Sequence, residues 1–463
     1  MKKSFLLLLL VFCLGTGTAI AQFTTLLTFD GLNGSEGIFS TLTLSGNTLY
    51  GVTYLGGGKD SGTMFSIDTD GTGYNDLHDF TSNGTFPVSI LPVGNLLYGT
   101  TEYGGTNDSG CIFSIHRDGS GYKDLFNFTG PNGSAPLNLV LSGSTLYGTT
   151  FAGGVLHVGC VFSIDTNGTG YLDMHDFVPA TGAHSYFKLA LLGNILYGTA
   201  SVGGANDSGC IFSIHTDGSK YKDIFDFNGT NGKQPIGSVI ISGSSLFGAT
   251  TEGGLLHLGC IYSIDTNGTG YLDMHDFIGA NGATSASTLT LSGNTLFGMC
   301  EIGGAKDSGC IYSINTDGGG YKDLYDFNHK GYSPVANSLI ISGENMYGIA
   351  PLGGAHGDGV IFSFKDITLP VDEVKANQGA ISVYPNPSNG IFTIAFGYAE
   401  LASASQTIEV YNMLGEKVYS NFQIANSSNF QIDLSSNPNG IYLYRVSANS
   451  GELIGEGKLI IQK

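Results

Sequence analysis

Short apolar stretches rich in β-branched and aromatic residues recur along most of the chain, and Gly, Asn, Asp and Ser separate them. One unit contains four such stretches, as in LNLVLSG, STLYGTT, GCVFSID and YLDMHDF. This pattern predicts short β-strands joined by tight turns. Helices are not expected, because no stretch keeps its apolar residues at the 3.6-residue period of a helix.

The unit repeats seven times. An aromatic residue followed by Gly marks each copy, at intervals of 48 to 50 residues: Tyr50, Tyr98, Tyr147, Tyr197, Phe247, Phe297 and Tyr347. Four strands per unit of this length predict an all-β, seven-bladed β-propeller over residues 22–365. A β-solenoid is the alternative, although its coils usually repeat over fewer residues.

The two ends of the repeat region predict how the ring closes. The segment FTTLLTFDG at 23–31 matches the fourth strand of the other units, whereas the last unit stops after its third strand, GVIFSFKD. We therefore expect the N-terminal strand to complete the seventh blade. Such closure removes the free sheet edges that an open array would leave.

The regions before and after the repeats differ from the repeat region in composition. Residues 1–21 have two lysines, a short apolar run and Ala19-Ile20-Ala21, which predict a signal peptide cleaved after Ala21; a short membrane anchor is the alternative. No later segment is long and apolar enough for a transmembrane helix. Residues 366–379 form a polar linker, and the alternating pattern of residues 380–463 predicts a small Ig-like β-sandwich.

The repeat region resembles the GloVer-type tandem repeat of secreted bacterial proteins. The resemblance rests on the pattern LYGTTxxGGxxxxGxIFSIxxDGxGY over residues 41–364. It implies a propeller-like repeat protein, and the family has no settled activity.

Residues 380–463 resemble the type A C-terminal sorting domain of the type IX secretion system. Four motifs carry the match, namely VYPNP at 383–387, VYN at 410–412 with Gly415, IDLS at 432–435 with Gly440 and Tyr442, and the terminal GKLIIQK. The resemblance implies contact with the type IX machinery, export through the periplasm and outer membrane, removal of the domain, and a secreted or cell-surface product.

Charge and motif content narrow the function. The net charge is −20 and arginine occurs only at Arg117 and Arg445, so no nucleic-acid partner is expected, because phosphate binding needs clustered cations. No nucleophile elbow, zinc-protease motif, phosphate loop or Cys-x-x-Cys pair occurs. We therefore predict no catalytic residue and no cofactor.

Cysteines and histidines mostly occupy fixed repeat positions. Cys111, Cys160, Cys210, Cys260 and Cys310 share one position and lie in separate units, which predicts buried thiols rather than a disulfide framework. Cys300 and Cys310 flank one loop and are the candidate disulfide. His78, His175 and His275 share a fourth-strand position that other units fill with Phe or Tyr, so aromatic packing is favoured over metal binding.

The stretch DTDGTGYNDLHD at 68–79 has the spacing of a calcium loop. Asp68, Asp70, Thr72, Asp76 and Asp79 fall at positions 1, 3, 5, 9 and 12. However, the stretch enters a predicted strand, which would carry Asp79 ~20 Å beyond Gly73 and away from the first ligands. A tight hairpin is therefore favoured over a calcium site.

Candidate binding residues lie in the longer loops, which connect strands two and three and link successive blades. We predict that they converge around one mouth of the channel and bind hydroxyl-rich or cationic ligands; the alternative is that they cap turns. The candidates are Glu102, Tyr103, Asp108, His157, Asp207, Glu252, His257, Glu301 and Asp307.

Two functional classes remain open from the sequence. The first is a surface-exposed module that binds an unidentified extracellular ligand, either a glycan or a protein. The second is a secreted carbohydrate-active enzyme, a hydrolase or lyase, that uses carboxylates from several blades. The absence of tryptophan weakens the case for sugar stacking, although Tyr and Phe are plentiful.

Overall fold

The computed structural model describes residues 22–36, 42–327, 338–365, 381–386, 388–396, 406–412, 417–422, 429–448 and 453–463. The predicted signal peptide, with its cleavage position after Ala21, and the predicted linker lie outside the described residues. The chain divides into two compact units, Met1–Thr368 and Leu369–Lys463.

The described part of the first unit contains seven four-stranded antiparallel sheets. The chain enters with strand β1 (Gln22–Thr28). Sheets 1 to 3 follow in chain order: β2 (Thr43–Ser45), β3 (Thr48–Thr53), β4 (Thr63–Asp68) and β5 (Asn75–Asp79); β6 (Thr85–Val93), β7 (Leu96–Tyr103), β8 (Cys111–His116) and β9 (Lys123–Asn127); β10 (Ser134–Ser142), β11 (Thr145–Ala152), β12 (Cys160–Asp165) and β13 (Leu172–Asp176).

One turn of 3-10 helix, η1 (Pro179–Thr181), links sheets 3 and 4. Sheets 4 to 7 comprise β14 (Ala190–Leu192), β15 (Ile195–Ala200), β16 (Cys210–His215) and β17 (Lys222–Asp226); β18 (Ile240–Ser242), β19 (Ser245–Ala249), β20 (Cys260–Asp265) and β21 (Leu272–Asp276); β22 (Thr290–Ser292), β23 (Thr295–Cys300), β24 (Cys310–Asn315) and β25 (Lys322–Asp326); β26 (Ile340–Ser342), β27 (Asn345–Ala350) and β28 (Val360–Lys365).

The fourth place in sheet 7 is taken by β1. It pairs with β28 from Gln22 opposite Lys365 to Thr28 opposite Val360, with a register shift between Thr25 and Leu27. The first described strand of the chain is thus hydrogen-bonded to the last strand of the repeat region.

The aromatic-Gly step that marks each repeat has a packing reason. It lies in the second strand of each sheet, where Gly99, for example, is opposite Phe113 of the third strand. A Cβ atom on Gly99 would lie 2.3 Å from the Phe113 ring, which is well inside contact distance. The glycine therefore makes room for a fully buried aromatic side chain in the sheet.

Aromatic residues join each sheet to the next. The Phe that follows each fourth strand is buried and packs edge-on against an aromatic ring in the third strand of the next sheet, with centroids 5.1 to 5.8 Å apart. The seven pairs are Phe80–Phe113, Phe128–Phe162, Phe177–Phe212, Phe227–Tyr262, Phe277–Tyr312, Phe327–Phe362 and Phe29–Phe65. The last pair joins sheet 7 to sheet 1.

The second unit contains two antiparallel sheets among its described residues. Their strands are β29 (Ile381–Tyr384), β30 (Ile391–Phe396), β31 (Gln406–Asn412), β32 (Lys417–Phe422), β33 (Asn429–Asp433), β34 (Gly440–Ala448) and β35 (Leu453–Ile461). The sheets run in the orders β29-β30-β33 and β32-β31-β34-β35. Buried residues from both, including Ile394 and Val446, form one core, so this unit is a two-sheet sandwich.

No helix in the described residues is long and apolar enough to cross a membrane.

Candidate functional site

The inner strands of the seven sheets, or the links that enter them, border one cavity in the first unit. Its volume is about 530 Å³, and residues from every sheet line it, from Leu42 in the link before β2 to Ser338 before β26. Each inner strand begins at the face that carries the long loops between the second and third strands. We call the long-loop end of this cavity the mouth.

The links that enter the inner strands hold strained residues near the mouth. Six equivalent residues, in the links or at the second position of an inner strand, have φ between 47° and 58°, although none is glycine: Glu36, Phe86, Ala135, His184, Gln234 and Thr284. Backbone hydrogen bonds impose this conformation; the Phe86 amide donates to the Ser61 carbonyl of the preceding sheet at 2.9 Å. Left-handed non-glycine residues cost of order 1 kcal/mol and concentrate at functional positions.

Aromatic side chains from four successive sheets gather at the mouth. Phe86 stacks on Tyr54 of sheet 1 with centroids 4.7 Å apart, and it meets the edge of the Tyr103 ring at 5.9 Å. Phe151 of sheet 3 lies 4.7 Å from Tyr186, which precedes the inner strand of sheet 4. With Glu102, these residues form what we call the mouth cluster: Tyr54, Phe86, Glu102, Tyr103, Phe151 and Tyr186.

Glu102 is the carboxylate of the mouth cluster. The Tyr54 hydroxyl donates a 2.7 Å hydrogen bond to its Oε2 atom. Burial, and then this hydrogen bond and the charge of Glu102, raise the pKa of Tyr54 above its ordinary value. Burial followed by the charge of Glu102 also raises the pKa of Tyr186, so the carboxylate of sheet 2 acts on a phenol of sheet 4.

The three predicted glutamates have different surroundings in the structure. Glu102 and Glu301 are equivalent by strand register, since each follows the residue that pairs with the first residue of its third strand. Burial raises the pKa of the half-buried Glu301 carboxyl. Glu252 lies one position later in its own sheet and forms a 2.8 Å ion pair with Lys233, where both side chains are about 40% exposed or more. Such a surface ion pair contributes little to stability.

The predicted aspartates bind their own loops. Asp108, Asp207 and Asp307 have φ near 50°, and each accepts a hydrogen bond through Oδ1 from the glycine amide four residues earlier, at 2.9, 3.0 and 3.3 Å. His157 and His257 occupy the same left-handed turn position, with φ of 60° and 59°. These five residues therefore cap or form turns, as the alternative explanation expects.

The calcium-like stretch forms a hairpin turn. Strand β4 ends at Asp68, whereas Asp79 is paired with Thr63 at the far end of the same hairpin. The Asp70 carboxylate accepts hydrogen bonds from the Thr72 amide and hydroxyl at 2.9 and 2.7 Å. The described residues contain no group of three or more His, Cys, Asp or Glu that could hold a metal ion.

The packing role of the three fourth-strand histidines is confirmed. His78, His175 and His275 stack on tyrosines of the next sheet, with centroids 4.3, 3.6 and 3.7 Å apart. Burial lowers the pKa of each imidazole below its ordinary value. At the same position Phe126 stacks on Tyr171 at 4.2 Å, so the imidazole replaces a packing ring.

The six cysteines among the described residues are buried free thiols. Cys300 and Cys310 are directly opposite each other on neighbouring strands. The disulfide between them is therefore not formed here, although the two residues are adjacent, and it stays a prediction.

Sequence reasoning missed four members of the mouth cluster, namely Tyr54, Phe86, Phe151 and Tyr186. Their signal was present in the repeat alignment, because each occupies a position whose residue type changes from unit to unit. Positions that vary on a repeated scaffold are those free to serve a ligand, whereas repeated residues mostly serve the sheet.

Comparison with known families gives two matches. A family model of the Gloeobacter/Verrucomicrobia repeat matches residues 90–244 and 193–389. A model of the secretion system C-terminal sorting domain matches residues 382–462. No curated protein matches the chain.

Solved structures resemble the fold at low sequence identity. The extracellular domain of a hybrid two-component system from B. thetaiotaomicron has a TM-score of 0.51 at 11% identity, with 95% of this chain and 59% of that chain covered. An oligogalacturonate lyase from Vibrio parahaemolyticus has a TM-score of 0.48 at 10% identity and covers 75% of this chain and 97% of its own. YCF48 from Cyanidioschyzon merolae has a TM-score of 0.47 at 10% identity, with coverages of 74% and 98%.

The chain thus spans 59% of the B. thetaiotaomicron domain. At these identities the likeness concerns the fold alone.

Proposed function

The chain belongs to the Gloeobacter/Verrucomicrobia repeat family, and from that premise we propose that it is an extracellular binding protein built on a closed seven-bladed β-propeller. Its sorting domain indicates export by the type IX secretion system, and hence an extracellular or cell-surface location. The ligand-binding surface in this proposal is the mouth cluster.

Two observations support closure of the ring. The aromatic contacts between sheets form a cycle, because the Phe29–Phe65 pair links sheet 7 back to sheet 1. Residues from all seven inner strands or their links also line one cavity. In an open array the end sheets would each leave one apolar face without a partner.

The observation that carries the binding proposal is the composition of the mouth cluster. Glu102 is held by Tyr54 from another sheet rather than by its own loop. Tyr103 beside it is 41% exposed, and its ring meets Phe86 edge-on. A carboxylate among exposed and half-buried aromatic rings can accept hydrogen bonds from sugar hydroxyls while the rings pack on the sugar faces, so we propose a saccharide ligand.

Exposed apolar side chains widen this face. Val155 and Leu156 at one long-loop tip are 75% and 50% exposed, and Leu255 and Leu256 at the equivalent tip two sheets away are 73% and 51% exposed. Large exposed apolar residues on one face are typical of surfaces that bind partners. These four exposed side chains support contact at the mouth with the ligand, or with the larger molecule to which the ligand is attached.

The enzymatic alternative receives less support. A glycosidase needs two carboxyl groups that face each other across the substrate, roughly 5 to 10 Å apart. Asp108, Asp207 and Asp307 are held by amides of their own loops, as a turn role requires. Glu102, in contrast, accepts a hydrogen bond from Tyr54 of another sheet, which supports a role at the mouth.

A binding screen tests the proposed function. The full chain is titrated against neutral and acidic polysaccharides, and the same samples are assayed for hydrolysis and lyase products. We expect saturable binding of at least one saccharide without product. Steady product formation would favour the enzyme, and absence of any saccharide binding would overturn the saccharide proposal.

We also propose that export passes through the periplasm and that the sorting domain is removed afterwards. A chain that lacks residues 380–463 should then accumulate in the periplasm, whereas the full chain reaches the surface or medium. Cell fractionation with an antibody against the repeat region measures this distribution. Surface display of the truncated chain at the level of the full chain would refute the route.

A further inference from the structure

The cavity behind the mouth is lined by one ring of polar side chains. Strand register defines the ring, because each member lies two residues before the inner-strand partner of the aromatic residue in the aromatic-Gly step; Lys188, for example, precedes Ala190, which pairs with Tyr197. The described members, which we call the channel ring, are Ser89, Asn138, Lys188, Ser238, Thr288 and Ser338. All of them border the cavity.

Lys188 is the exception in this ring. It is the one charged side chain among the residues that line the cavity. In the described part of the chain it has neither an ion pair nor a hydrogen bond, whereas Lys233, Lys365 and Lys417 each pair with a glutamate. Other lysines without an ion pair among the described residues, such as Lys222 and Lys322, lie at exposed positions of fourth strands, whereas Lys188 lines the cavity.

The surroundings of Lys188 desolvate its ammonium group only in part, because the side chain is exposed to the cavity. The residue is accessible to the water of the cavity but is enclosed by the inner strands, and desolvation alone lowers its pKa below the ordinary value. No carboxylate contributes to that shift. Removing an ammonium group from bulk water without a partner is unfavourable, so a position that holds one is suited to an anion supplied from outside.

The neighbours of Lys188 fit an oxyanion. Asn138, at the same level in the preceding sheet, has no hydrogen-bond partner for its side chain in the described part of the chain and can donate two N–H bonds. The next level of the cavity is mostly apolar, with Leu91, Val140, Ala190 and Ile240. Polar donors therefore lie on the side of the cavity that faces the mouth.

The mouth cluster and the channel ring are close together along the chain. Tyr186 of the mouth cluster lies two positions before Lys188 in the same link. A saccharide held at the mouth would thus present its nearest substituent to the channel ring. The cavity volume of about 530 Å³ is within the usual range for small-ligand sites.

We propose that Lys188 and Asn138 bind the carboxylate or sulfate group of an acidic saccharide that enters through the mouth. This inference rests on the proposed saccharide binding and specifies the class of ligand. The ammonium supplies a charge-assisted hydrogen bond, the carboxamide supplies neutral ones, and the anion neutralises the unpaired cation.

The test uses three probes on one backbone: cellotetraose, its C6-carboxylated form and its 6-O-sulfated form. Calorimetric titration of the full chain should show about tenfold tighter binding of at least one acidic probe than of cellotetraose. The two acidic probes tell a carboxylate site from a sulfate site. Lys188→Gln should abolish the preference, and Lys188→Arg should retain most of it.

Lys222→Gln is the matched control, because it removes the same charge from an exposed position of the same sheet. It should keep the preference. Lys188→Gln should also retain the melting temperature, since it removes an unpaired charge. Equal affinity for all three probes, or an acidic preference that survives Lys188→Gln, would overturn this inference alone. Binding of none of the probes would also overturn this inference, whereas the polysaccharide screen decides the proposed saccharide binding separately.

Discussion

At the scale of single residues, most side chains that the sequence offered as candidate ligands have a structural role that recurs from repeat to repeat. The second Asp of the fourth-strand motif Asp-x-x-Asp caps the long loop of its own sheet; Asp226 Oδ1 accepts a 2.7 Å hydrogen bond from the Ala205 amide. In sheet 2 the equivalent residue is Asn127, whose Oδ1 accepts from Thr106 at 3.1 Å. The acceptor oxygen is therefore what the loop requires, and the negative charge is not.

That charge has a measurable effect on its neighbour. Burial, and then the proximity of Asp226, raise the pKa of Asp223 to about 7. Because the folded state holds this proton more tightly than the unfolded state, the contribution of Asp223 to stability decreases as the pH rises from about 4 to 7. We predict that Asp226→Asn keeps the loop hydrogen bond and reduces this loss.

The measurement is the urea midpoint of the full chain and the variant between pH 4 and 8. The variant should gain stability relative to the natural chain as the pH rises, and the two should converge near pH 4. Asp226→Ala, which also removes the hydrogen bond, should be less stable than Asp226→Asn by ~1 kcal/mol. Parallel pH profiles for the natural chain and Asp226→Asn would contradict this account.

At the scale of elements, the strands could be predicted from the sequence because recognisable turn sequences separate them. Asp-Gly and Gly-x-Gly sequences mark the hairpins, and period-two alternation marks the strands between them. The lengths of the inner strands could not be predicted. Strands β6 and β10 have nine residues, whereas the equivalent strands β14 and β18 have three. Those lengths depend on how each link approaches its neighbouring sheet, which the local sequence does not encode.

Closure predicts that the first strand matters as much as any internal one. Phe29 is fully buried, and its ring centroid lies 5.6 Å from that of Phe65. The Phe177 and Phe212 rings within the array are similarly placed, with centroids 5.2 Å apart. In a closed ring, Phe29→Ala and Phe177→Ala should each lower the free energy of unfolding by ~3–5 kcal/mol. Chemical unfolding followed by tyrosine fluorescence measures both. A much smaller effect of Phe29→Ala than of Phe177→Ala would indicate an open array.

At the scale of the whole molecule, the sequence predicted which face carries the long loops but not which residues meet there. The repeat period places loops on one face, which was enough to nominate Glu102 and Tyr103. It could not show that Tyr186 of sheet 4 comes within electrostatic range of Glu102 of sheet 2, because that proximity arises only when sheets two repeats apart border one cavity. That Lys188 is the one charged residue lining the cavity is likewise a property of the assembled sheets.

In the proposed function the ligand binds at the long-loop mouth, and paired variants on the two faces test this location. Glu102→Gln combined with Tyr103→Ala alters the mouth, whereas Glu344→Gln alters an exposed ion pair with Lys365 in a short turn at the opposite face. The measurement is the dissociation constant of the best saccharide from the binding screen for each full-length variant. We predict at least about tenfold weaker binding for the mouth variant and unchanged binding for Glu344→Gln. Unchanged binding by the mouth variant, or a loss confined to Glu344→Gln, would contradict the account.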